Sequence, residues 1–147
     1  MKCFKCGKGR LASKSVEISG DVRGETLTVR AEADVCSRCG FQVLSSDQSS
    51  AYGIAVADAY RKRHGLLTSK ELKAIRKRLA MSQREFAEFL GAGVASVKRW
   101  EAGLIQDLAM DKLIRVGTDP QAARNNVKQL EQRLRHQQER VRFPVSG

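Results

Sequence analysis

Long apolar runs are missing from this 147-residue chain. None approaches the roughly 20 residues that a membrane-spanning helix requires, which argues against a transmembrane span. The opening MKCFKCGKGR has no apolar core and does not read as a secretory leader, so the expected compartment is the cytoplasm. Paired carboxylates and His/Cys groupings that carry catalysis are also missing, because His64 and His136 both lie away from the cysteines. The chain is therefore expected not to be an enzyme. Acidic residues are in deficit, 16 against 27 Lys and Arg, for a net charge of +11. Residues 1–66 hold 11 basic and 7 acidic groups, 67–117 hold 10 and 6, and 118–147 hold 6 and 3. An excess spread in this way favours a polyanionic partner, most simply nucleic acid, without saying which sequence.

The four cysteines, Cys3, Cys6, Cys36 and Cys39, form two C-x2-C pairs 29 residues apart, with none left over. In a reducing compartment this pattern reads as four thiolates on one zinc ion (Zn2+) rather than as disulfides. Gly7 and Gly40 follow the second cysteine of each pair and free the backbone to turn amides toward metal-bound sulfur. A closed four-thiolate shell leaves no position for water or substrate, so the ion is structural. The rival reading is a thiol switch, with Lys2, Lys5, Lys8 and Arg38 favouring thiolates. Between the pairs, Ser15–Val22 and Glu25–Val35 carry strand-like alternation, with Leu27, Val29, Ala31 and Ala33 at period two. Arg23-Gly24 is the hairpin turn that returns the second pair beside the first. Phe41–Leu44 reads as a short closing strand.

From Ser46 the period becomes helical, with Tyr52, Ala55, Val56, Ala59 and Tyr60 on one face. Arg61-Lys62-Arg63 is expected to be a solvated helix end that complements the dipole. His64-Gly65 closes this helix and leaves Leu66–Thr68 as a short hinge. Thr68 or Ser69 caps the next helix, Lys70–Leu79, which buries Leu72, Ile75 and Leu79.

The stretch Met81–Gly103 reads as two short helices around a tight turn. Ser82 and Glu85 form a capping box. Phe86, Phe89 and Leu90 share a face, and all are expected to pack. Gly91-Ala92-Gly93 breaks the first helix. A second runs from Val94, with Val97 and Trp100 as its buried side. This outline is that of a helix-turn-helix, whose second helix enters the DNA major groove; an αα-hairpin that merely packs has the same outline. The outward positions Ala95, Ser96, Lys98 and Arg99 are the candidate DNA contacts. Arg99 is the best placed for a bidentate bond to guanine. Ser96 and Lys98 suit phosphate or mixed contacts.

These residues carry a resemblance. Ser82-Gln83, Phe86-Ala87, Leu90-Gly91, Val97, Arg99-Trp100-Glu101 and Gly103 are similar to the XRE, or lambda-repressor-like, helix-turn-helix over roughly Leu66–Val116. With the cysteine pairs, Met1-Lys2-Cys3, Arg23-Gly24, Gly93-Val94, Lys112–Val116 and Pro120, the chain resembles the MqsA (YgiT-type) antitoxins over about residues 1–120. The resemblance implies an antitoxin and autorepressor whose zinc module binds a ribonuclease-type toxin. It also implies a C-terminal domain that dimerises and binds an operator palindrome in double-stranded DNA. It places a base-reading arginine at Arg99, a phosphate-holding glutamine at Gln83 and an ion pair between Arg76 and Glu101. The family's base-reading asparagine falls on Ala95, so the operator should differ from its relatives'. The alternative is a stand-alone zinc- or redox-responsive regulator without a toxin.

Asp119-Pro120 opens a last helix that runs to about Arg142. Its Val127, Leu130, Leu134 and Val141 form a thin a/d seam that could zip two protomers together, dock on a partner or lie on its own domain. A homodimer is favoured because repressors of this type bind two half-sites as dimers. Phe143–Gly147 is expected to fray. The fold class expected is α+β: a zinc-bound hairpin module with a linking helix at 1–65, an all-α helix-turn-helix domain at 66–117, and a helical extension at 118–147.

Overall fold

The computed structural model describes residues 1–143 and shows a three-stranded antiparallel sheet followed by six helices. The chain is thus α+β. The described residues fall into two compact units, Met1–Gln106 and Asp107 onward. No helix among them is long and apolar enough to cross a membrane.

In the first unit, β1 (Leu11–Val22) and β2 (Glu25–Cys36) pair from Leu11 opposite Cys36 to Val22 opposite Glu25. Arg23 and Gly24 both take positive φ, +50° and +82°, as the tightest hairpin turn requires. The ladder is longer at its open end than the sequence pattern suggested, and that end delivers Cys36 to the neighbourhood of Cys3. The closing strand β3 (Gln42–Val43) pairs with Asp34 and Val35.

Helix α1 (Ser46–Arg63) starts at a capping box between Ser45 and Gln48 and lies on the hairpin. Its Val56 and Tyr60 join Leu27 and Leu66 in a core completed by Val22, Val29, Tyr52, Ala59 and Ile105. The Tyr52 hydroxyl donates to the Ser19 carbonyl at 2.8 Å. A Cβ on Gly20 would collide with that hydroxyl and with Val56, so only glycine lets α1 lie this close.

Two expectations fail here. Arg61 is not solvated; its side chain is wholly buried. Leu66 and Leu67 are buried too, so Leu66–Thr68 is a packed corner and not a hinge. Thr68 caps α2 (Ser69–Arg78) in a second capping box, with Glu71. Helices α3 (Gln83–Leu90) and α4 (Val94–Glu101) follow, α3 opening on the expected Ser82/Glu85 box and closing on a left-handed Gly91. Each such cap contributes about 1 kcal/mol.

The second unit holds α5 (Leu108–Thr118) and α6 (Pro120–Arg142). Asp119 caps α6 through Gln121 N–H, with Pro120 in the first turn, as the sequence predicts. The fraying expected of Phe143–Gly147 lies, from Pro144 on, outside the described residues.

Candidate functional site

The four cysteines converge. Their sulfurs all lie within 4.8 Å of one another, with Cys3 Sγ 3.8 Å from Cys39 Sγ and Cys6 Sγ 3.7 Å from Cys36 Sγ. These separations are far too long for a disulfide. Four thiolates set tetrahedrally about one metal at about 2.3 Å would stand about 3.8 Å apart, so the cage fits a single ion.

The backbone explains how the cage forms. Gly7 N–H donates to the Cys3 carbonyl and Gly40 N–H to the Cys36 carbonyl, each glycine in the left-handed region. The glycines therefore close the turns without reaching sulfur themselves. The amides that do reach sulfur belong to Gly9, which donates to Cys6 Sγ at 3.4 Å, and to Arg38 and Cys39, which donate to Cys36 Sγ at 3.4 and 3.5 Å. Amide donation from Cys39 and Arg38 pulls the Cys36 thiol down to about 6. Amides of Lys8 and Gly9 lower Cys6. At Cys39 the amide of Phe41 pulls downward, but desolvation and the neighbouring thiols prevail and push it up to about 11. Within the cluster these amides favour the thiolate form most at Cys36.

Gly9 was not singled out in the sequence. A Cβ there would fall on Cys36 Sγ and on the Cβ of Arg38, so the first knuckle needs glycine for space. The only signal was the spacing Cys6-Gly7-Lys8-Gly9 itself.

The second feature is α4. Val97, Trp100 and Glu101 face inward, 1%, 6% and 4% exposed, against Phe86, Ala87 and Leu90 among the buried residues of α3. Each buried large apolar side chain contributes about 1.5–3 kcal/mol. Phe89 departs from expectation: it is 53% exposed and does not pack. On a 3.6-residue helix Phe86 and Leu90 stack four apart with Ala87 beside them, and Phe89 falls outside that stripe.

Glu101 is tied from two sides. Arg76 Nη2 and Nε reach its carboxylate at 2.8 and 3.1 Å, the expected ion pair, and Gln83 Nε2 donates to it at 3.1 Å. Gln83, half-buried, thus spends its amide on α4. Ala95, Lys98 and Arg99 are exposed, while Val94 and Ser96 are half-buried. Ala95 and Arg99 stand one above the other, flanked by Ser96 and Lys98. Arg99 and Lys98 make no side-chain hydrogen bond or ion pair among the described residues, which leaves one exposed polar and cationic face.

Arg61 supplies a further anchor. Its guanidinium donates to Trp100 O at 2.8 Å, Leu104 O at 2.9 Å, Gln106 Oε1 at 3.0 Å and Asp58 Oδ1 at 2.9 Å. Gln106 in turn donates to Leu67 O, and Asp58 accepts from Ser69 N–H. A buried arginine on α1 therefore holds the exit of α4 by its main-chain oxygens. The one local signal was Asp58 three residues earlier; its other partners lie about forty residues downstream.

Residues 1–121 match the family model described as the antitoxin component of a bacterial toxin-antitoxin system, MqsA. The chain is also similar to "Antitoxin MqsA" of Escherichia coli (strain K12). The two are 28% identical over 109 residues, which is 72% of this chain and 82% of the relative.

Proposed function

The chain belongs to the MqsA antitoxin family, and from that premise we propose that it neutralises a ribonuclease-type toxin and represses transcription from its own operator. The four thiolates of Cys3, Cys6, Cys36 and Cys39 hold one structural zinc ion, for which the sulfur spacing and the cysteine-only donor set are suited. The metal-bearing module, residues 1–65, is the toxin-binding part. Residues 66–117 are the operator-binding part, with α3 and α4 as the helix-turn-helix, and the chain acts as a homodimer on two half-sites of double-stranded DNA.

The observation that carries the DNA reading is the division of α4. Its inner residues are clamped by packing, by Arg76 and Gln83 on Glu101, and by Arg61 on the main chain. Its outer residues are left to solvent. A base reader has to be held rigidly by groups that are not themselves doing the reading. Arg99 reads guanine from the major groove, Ala95 offers a methyl contact to thymine, and Val94, Ser96 and Lys98 line the approach to the backbone. Gln83, bound to Glu101, buttresses α4 beside a phosphate.

Binding of the Arg99→Ala and Lys98→Ala chains to the promoter next to the gene, and to random duplex of equal length, tests this. Arg99→Ala should lose about 10–100-fold on the promoter alone, at one base pair per half-site. Lys98→Ala should weaken both duplexes and reduce the salt slope by about 1. Equal losses on both duplexes for both variants would remove Arg99 as the reader.

A further inference from the structure

Helix α6 exposes a line of apolar side chains that nothing in its own unit covers. No residue of the helix is buried, and Val127, Leu130, Leu134 and Val141 are 52%, 56%, 50% and 78% exposed. At 100° per residue these four and Ala123 fall within a stripe about 60° wide on a rod about 34 Å long. The family match ends at residue 121, so nearly all of α6 lies outside the matched range. We propose that this stripe pairs with the same stripe of a second copy in a parallel two-stranded coiled coil.

The sequence of the helix fits that occupant. In heptad terms Val127, Leu134 and Val141 take the a positions, and Ala123, Leu130 and Gln137 take the d positions. Valine at two of the three a positions, with leucine at the central d position, suits two parallel strands. The flanking rows decide the orientation. The e row is Arg124, Glu131 and Gln138, and the g row is Asn126, Arg133 and Arg140. Parallel strands set each g residue against the e residue five positions on, so Asn126 meets Glu131 and Arg133 meets Gln138, with no like charges opposed. Antiparallel strands would set the g rows together and bring arginine against arginine. Lys128, Arg135 and Arg142 take the b positions, turned away from the seam. Self-pairing therefore buries the apolar line while every cation stays in water.

The proposal deepens the dimeric reading above by assigning it an interface, and it rests on that reading. The test is sedimentation of the full zinc-loaded chain over a concentration series, beside Leu130→Glu/Leu134→Glu and the outward control Lys128→Glu. All three positions are exposed, so folding should be unaffected, and zinc content with helical circular dichroism checks it. The expected result is a wild-type and control dimer, with a dissociation constant at least about 100-fold higher for the double variant. Leu130→Cys should also cross-link to its own copy under mild oxidation, as parallel strands require. A wild-type monomer at every concentration would sink both the dimeric reading and this interface. A dimer indifferent to the double substitution, or one in which Leu130→Cys never cross-links, would overturn the interface and leave the dimeric reading standing. A monomer whose double variant loses operator binding or toxin capture would assign the stripe to another partner, again overturning the proposal.

Discussion

The cysteine knuckles and the α3–α4 pair hold their groups by opposite means. In the knuckles the only buried apolar residues are Cys3 and Cys36 themselves, and Phe4 stands 68% exposed against the edge of Phe41. Main-chain hydrogen bonds and the four sulfurs define the geometry, so a metal bound there would supply folding free energy directly. In the helical pair, Phe86, Leu90, Val97 and Trp100 supply a small core of their own, and the polar groups refine it. One end of the first unit is built for coordination and the other is tied by packing. The two should fail under different insults.

The largest effect should come from removing a sulfur. Cys36→Ser should abolish stoichiometric metal binding and loosen residues 1–10 and 36–41. The helical signal and the buried emission of Trp100 should survive. Metal analysis with circular dichroism and fluorescence checks this, and exposure of Trp100 on metal loss would show that the two ends do not fail separately. Arg61→Met strikes between them. It strands the carbonyls of Trp100 and Leu104 and leaves Asp58 without its cation, so chemical denaturation should report a loss of about 3–5 kcal/mol with metal content unchanged. The smallest effect concerns Glu25 at the far end of the hairpin. A bond from His64 Nε2 at 2.6 Å, helped by Arg63, holds its carboxyl below the ordinary value of 4.5. A depressed carboxyl stabilises the fold above its ordinary pKa, and the contribution disappears as pH falls through the folded value. The melting temperatures of the wild type and Glu25→Gln should therefore differ slightly at pH 6 and converge in acid; a gap constant with pH would refute the linkage.

Local chemistry was legible in the sequence. Cysteine spacing, the Arg23-Gly24 turn, the Ser82/Glu85 cap and the Asp119-Pro120 start depend on neighbours in the chain, and each appears where expected. The Arg76–Glu101 pair was legible only through family resemblance, since 25 residues separate the two. Phe89 misled because it shares an arc of about 100° with Phe86 and Leu90, but the buried stripe turns the other way, to Ala87. Arg61 misled more deeply. In a row of three cations only Asp58, three residues before Arg61, hints at which one is paired, and its burial depends on carbonyls brought near by folding. Gly9 went unnoticed because its role is to be small beside the sulfur of Cys36, 27 residues away in the chain.

The manner in which Arg61 grips α4 has a consequence for descent. It touches peptide oxygens at Trp100 and Leu104, which any amino acid provides, and asks nothing of the side chains at Ala95, Ser96, Lys98 or Arg99. Those four positions are free to drift without loosening the seat. A lineage built on this scaffold can remodel the exposed face of one helix by point changes while the seat beneath it stays the same.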